Sequence, residues 1–118
     1  MTAAVAVRVV DAVGPHCLTM DDGQRVFQAL QSKLSGGDSV VLDFSGVDVI
    51  ASPFMNAAVG QLLQAMTTVE LRKRITFEHL SEVGRDVLER VVHNSSEYYS
   101  NPDARRAVDT ILEGVGEE

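Results

Sequence analysis

The sequence predicts a small α/β domain, a mixed or parallel sheet with helices packed on it. Short β-branched runs at residues 5–10, 39–44 and 75–80 alternate with longer stretches of helical period at 21–34, 54–66 and 81–92. Breakers fall between them, at Gly14-Pro15, Gly36-Gly37 and Ser45-Gly46. A chain of 118 residues can bury one core but not two, so residues 1–118 read as a single domain.

Each element has its own signal. Residues 5–10, Val-Ala-Val-Arg-Val-Val, read as the first strand, and residues 16–19 as a short second one after Gly14-Pro15. Asp21 and Asp22 open a helix, because acids suit the positive end of the helix dipole. Val26, Phe27, Leu30 and Leu34 then line one face until Gly36-Gly37 stops it. Residues 39–44 have the length and β-branched content of a buried strand, and Ser45-Gly46 separates them from the apolar patch 47–50. Ser52 is a preferred N-cap type and Pro53 suits the first helical position, which starts a helix that runs to Met66. Thr67-Thr68 caps a short turn through Arg74, and residues 75–80 alternate as a strand with one solvated face would.

Ser81 begins the next helix. It has Val83, Val87, Leu88, Val91 and Val92 on one side and Glu82, Arg85, Asp86, Glu89 and Arg90 on the other. Residues 93–102 read as a polar linker carrying both tyrosines. Residues 103–115 form a last amphipathic helix, in which Ala104, Ala107, Val108, Ile111, Leu112 and Val115 recur at helical spacing. The tail 116–118 is expected to fray.

Composition excludes several function classes. The formal charge of -7 opposes binding to nucleic-acid phosphates or anionic membranes, since both begin with cationic attraction. The one dense basic cluster, Arg72-Lys73-Arg74, reads as a solvated helix end. No apolar run approaches the ~18–20 residues that span a bilayer, and the first residues lack the charge and apolar core of a signal peptide. Cys17 is the only cysteine, so no internal disulfide can form and a reducing cytoplasm is the natural compartment.

The candidate chemistry is sparse. Ser52 presents a hydroxyl at a helix start just beyond a strand, where α/β proteins place their working groups. The helix it opens carries Phe54, Met55, Ala58, Val59, Leu62, Leu63 and Met66, a face wide enough to need the last helix over it or to offer an apolar edge to a partner. Asp43 and Asp48 flank Ser45-Gly46, an arrangement that supports a turn better than it makes an acid/base pair. His16, His79 and His93 are scattered without metal-ligand spacing. There is no phosphate-binding glycine loop, no G-x-S-x-G elbow and no base readable beside Ser52. Enzymatic chemistry, a metal and a cofactor are therefore not expected.

The run Asp43-Phe44-Ser45-Gly46-Val47, the patch ending at Ile50 and Ser52 at a helix start resemble the STAS domains, the sulphate transporter and anti-sigma-factor antagonist type. The resemblance is closest to a STAS-like family of unknown function among small bacterial proteins. In the antagonists an Asp-Ser-Ser-Gly motif stands here and its first serine is phosphorylated by a partner kinase. Ala51 falls on the aspartate, Ser52 on the phosphorylated serine, Pro53 on the second small residue and Phe54 on the glycine. The resemblance implies a cytoplasmic, non-enzymatic regulatory domain that binds a protein partner, an ATP-binding kinase of the anti-sigma type, with Ser52 phosphorylation controlling release. Asp43, Ser45, Asp48, Ser52, Pro53, Phe54 and Met55 would form the contact surface. Two alternatives stay open at this point: a small-ligand or nucleotide-binding regulatory domain, and a structural homodimer joined through apolar helix faces.

Overall fold

A computed structural model describes residues 4–100, so the expected helix over 103–115 and the tail lie outside the described residues. The elements run β1 (Ala4–Arg8), α1 (Val9–Val13), β2 (His16–Cys17), α2 (Met20–Ser35), β3 (Ser39–Asp43), β4 (Val49–Ile50), α3 (Ser52–Ala58), a 3-10 segment (Gly60–Gln64), α4 (Thr68–Arg74), β5 (Ile75–Glu78) and α5 (Glu82–Ser100). Strands β1, β3 and β5 form a parallel sheet with β3 in the middle, and β2 pairs with β4 in a second, two-stranded parallel sheet. The architecture is α/β, as the alternation of strand and helix signals implies.

Among the described residues the three-stranded sheet is covered on one face. Val7, Val40, Leu42 and Ile75 point into the core, while Ala4, Ala6, Arg8, Thr76 and Glu78 on the opposite face are exposed. Parallel sheets are usually buried on both faces and then read as unbroken apolar runs. Here the strands alternate instead, as residues 75–78 do in the sequence.

Most boundaries fall close to their signals, and the exceptions have physical causes. The run 5–10 splits after Arg8, because Val9 turns into a one-turn helix and is fully buried. The helix expected over 53–66 breaks at Val59, where the chain passes into the 3-10 segment through a Leu62 N–H to Val59 C=O bond of 3.0 Å. Arg74 is not simply solvated: its guanidinium donates to the carbonyls of Leu34 at 2.7 Å and Asp38 at 2.9 Å, tying the end of α4 to the approach of β3. Residues 93–100 continue α5 instead of forming a linker. Their polar composition predicts poorly for helix, but Tyr99 packs against the core and holds the last turns in place. Val83 is 68% exposed, whereas Val87 and Val91 on the same helix are buried.

Helices α2 and α3 approach each other closely at Gly23. A Cβ there would overlap the Phe54 carbonyl oxygen and stand 2.7 Å from the Ala57 Cβ, so only glycine lets the two backbones meet. Gly23→Ala should therefore cost at least about 2 kcal/mol, because the obstacle is backbone and cannot rotate away. Urea denaturation of the variant tests this, and a loss under ~0.5 kcal/mol would mean that the helices separate easily.

Candidate functional site

Two groups of residues stand at the carboxyl ends of the strands. The first is centred on Asp43. Strand register sets Arg8, Asp43 and Glu78 side by side. Asp43 Oδ1 accepts from the Ser45 hydroxyl at 2.7 Å, from the Ser45 N–H at 2.9 Å and from His79 Nδ1 at 2.9 Å. The turn that follows closes with the Val47 N–H on the Phe44 carbonyl at 3.1 Å and needs Gly46 at φ 81.

His79 joins this group through its backbone. Alternation along β5 would put it on the inner face with Ile75 and Phe77, away from Asp43. A left-handed φ of 57 turns it outward instead, just after the Phe44 N–H has bonded to the Glu78 carbonyl at 3.0 Å. Sequence reasoning left His79 without a role, and nothing in its spacing signals the reversal.

The hydrogen bonds from the Ser45 hydroxyl and N–H, then that from His79, hold the Asp43 carboxyl down to about 2. Such a weak base is ill suited to taking a proton from Ser45 at neutral pH. The node therefore braces the turn after β3 and pins the end of β5 to it.

The second group surrounds Ser52. Here β2 and β4 pair His16 with Val49 and Cys17 with Ile50, and the Ala51 N–H extends the ladder to the Cys17 carbonyl at 2.8 Å. The capping residue of α3 is Ala51, at φ -109 and ψ 155, and its carbonyl accepts the Met55 N–H at 3.2 Å. The sequence-based cap is thus one residue late. Ser52 is the first helical residue, half-buried, and its hydroxyl has no hydrogen-bond partner among the described residues. Pro53 beside it is exposed.

Phe54 and Met55 do not belong to a surface. Both are completely buried. Since burial of each contributes roughly 1.5–3 kcal/mol, presenting them to a partner would consume a large part of a domain's ~5–15 kcal/mol stability. Asp48 is exposed in the turn before β4, with its N–H on the Pro15 carbonyl at 2.8 Å.

The exposed large apolar side chains near α3 are different ones. Leu18 is 48% exposed, Met20 66% and Val49 44%. Leu18 follows the Cys17 carbonyl that holds Ala51, and Val49 lies on the strand leading to Ser52. Met20 opens α2 and shares with Asn56 and Ala57 of α3 an open cleft of about 440 Å³. Cys17, paired with Ile50, is buried, and burial, with the Asp22 charge, pushes its thiol up to about 11, so it stays protonated at neutral pH.

Among the described residues no group of three His, Cys, Asp or Glu could hold a metal ion, and no helix is long and apolar enough to cross a membrane. The Asp43 node generates a pH prediction. A carboxyl depressed in the folded state contributes stability that is fully present above its unfolded value of about 3.8 and lost as pH falls through about 2. The stability difference between the parent and Asp43→Asn should therefore shrink between pH 5 and pH 2 in denaturant titrations. A difference that stays flat over that range would mean that the node contributes nothing to folding.

A family described as a STAS-like domain of unknown function (DUF4325) matches residues 22–85, a span that contains most of α2, the Asp43 node, the Ser52 helix, β5 and the start of α5. No curated protein and no solved structure matches the chain significantly. The family match covers more than half of the sequence, with the Asp43 node and Ser52 inside it and residues 16–20 outside it, and the chain belongs to the STAS-like domain family.

Proposed function

We propose that this domain is a non-enzymatic regulatory module that binds a protein through the apolar rim around Ser52, with phosphorylation of Ser52 weakening the complex. The observation that supports the reading is where the exposed apolar surface lies. Of the five large hydrophobic side chains exposed among the described residues, Leu18, Met20 and Val49 all stand on the segments that flank Ser52. Scattered singly they would need no explanation, but three of the five on the segments that lead into α2 and α3, with an unpartnered hydroxyl at the start of α3, suit a contact surface. Pro53 completes the rim, and Asp43, Ser45 and Asp48 act behind it by fixing the turn between β3 and β4.

The partner class comes from the family resemblance: an ATP-binding kinase of the anti-sigma type, working in the cytoplasm. No nucleic acid, membrane or cofactor enters this reading. A phosphate on Ser52 would bring roughly -1.5 to -2 charges into an apolar contact, where its desolvation is uncompensated.

A penalty of about 3 kcal/mol corresponds to roughly a hundredfold in affinity. Ser52→Asp should keep the fold and weaken the complex with a kinase of this class by that order, and Leu18→Asp should weaken it similarly without touching the serine. Ser52→Ala should bind as the parent does but lose its response to ATP. Titration calorimetry of the three variants is the measurement. Parent-like binding by both Ser52→Asp and Leu18→Asp would remove the rim from the interface, and self-association lost in Leu18→Asp would favour a homodimer instead.

A further inference from the structure

Helix α5 shows a second apolar stripe that the core covers only in part. Val87 and Val91 are buried, whereas Leu88 and Val92 are half-buried and line a groove of about 510 Å³ between α5 and α4. Leu71 and Phe77 complete its floor. The volume is that of a site for a small molecule, apolar in its lining with a few polar groups at the edge. A helix, about 10 Å across, would lay only one face on it.

The two ends of the groove differ. At one, the Thr68 hydroxyl donates to the Ser96 hydroxyl at 3.4 Å and joins the start of α4 to the last turns of α5. Away from that contact, about one turn along α4 and about three turns back along α5, stand Arg72 and Arg85. Both are exposed, and neither has an ion pair among the described residues. By contrast Arg8 and Arg25 sit against Asp11 and Asp22, and Arg74 is taken up by two carbonyls. Glu89, on the same wall as Arg85, offsets one of the two charges, so with His93 neutral the lining keeps one net positive charge in a chain of net charge -7.

We propose that this groove binds a single-chain carboxylate of the medium-chain fatty acid type, its chain on Leu71, Phe77, Leu88 and Val92 and its head group held by Arg72 and Arg85. Three properties select that class. The floor offers nothing polar, and burying methylenes against it is favourable without any hydrogen bond. The guanidinium groups present paired donors in the plane that a carboxylate matches. One net positive charge balances a monoanion, whereas a phosphate dianion would remain in excess. Helices α4 and α5 and strand β5 carry none of the residues of the Ser52 rim, so such a ligand and a protein partner at the rim would occupy separate surfaces.

Titration calorimetry of the full chain with octanoate, decanoate and decanol, each below its aggregation limit, tests the proposal. Decanoate should bind at least about fourfold more tightly than octanoate, because two further methylenes are buried. Decanol should bind about tenfold more weakly than decanoate, and Arg72→Gln/Arg85→Gln, which alters only exposed side chains, should weaken decanoate by the same factor while leaving decanol unchanged. Backbone amide signals of Leu71, Phe77, Leu88 and Val92 should shift on addition of decanoate. Heats no larger than dilution, affinity indifferent to chain length or to the double substitution, or shifts confined to residues outside the groove would each overturn the proposal. Tighter binding of decyl phosphate than of decanoate would overturn the carboxylate in favour of a dianionic head group.

Discussion

Everything around Ser52 depends on how closely α2 and α3 approach at Gly23. With no side chain between them, the start of α2 rests on the Phe54 carbonyl, with Phe54 and Met55 in the core and Met20 beside Asn56 and Ala57 of α3. That single contact decides which apolar groups are hidden and which are shown. Phe54 and Met55 become structural, and Met20, which precedes Gly23 by one turn, is left exposed beside α3. A bulkier residue at position 23 would separate the helices and dissolve this arrangement.

The Asp43 node performs a complementary task at the other sheet. Among the described residues the helices cover one face of the three-stranded sheet, so no helix contacts on its other face fix the carboxyl ends of its strands. Asp43 replaces them with three hydrogen bonds on one oxygen, holding the turn after β3 and the end of β5. Arg74 does the same at the opposite end of β3, through two carbonyls. The central strand is therefore fastened at both ends by polar contacts, and its middle by Val40 and Leu42 in the core.

Much of this was legible in the sequence where periodicity and capping agree. Helix α2, the Thr67 cap of α4, the Ser81 start of α5 and the alternation of β5 all follow from side-chain pattern alone. What was not legible depends on tertiary contact. Val9 and Val10 continue a strand pattern yet bend into a helix because Val9 fills the core, and the polar residues 93–100 stay helical because Tyr99 is anchored. The site divides in the same way. Asp43 with Ser45 falls where the sequence puts it and Ser52 with Pro53 one position further into the helix, while His79 arrives through a left-handed backbone turn and Leu18 beside the pairing of β2 with β4. No local pattern encodes either event.

The shift of the helix cap from Ser52 to Ala51 matters most for how a switch could operate. A serine that caps its helix contributes about 1 kcal/mol, and modifying it would disturb the helix together with the surface. Ala51 carries the capping role through its backbone alone, held in place by the Cys17 carbonyl. Ser52 is therefore spared any structural duty among the described residues, and its hydroxyl can change chemically without loosening α3. On the reading proposed above, stability and affinity then rest on separate atoms: Gly23, Phe54 and Ala51 keep the fold, and Ser52 with its apolar neighbours sets the strength of the contact. A domain built this way can be released from its partner while remaining fully folded, which is the condition for using it repeatedly.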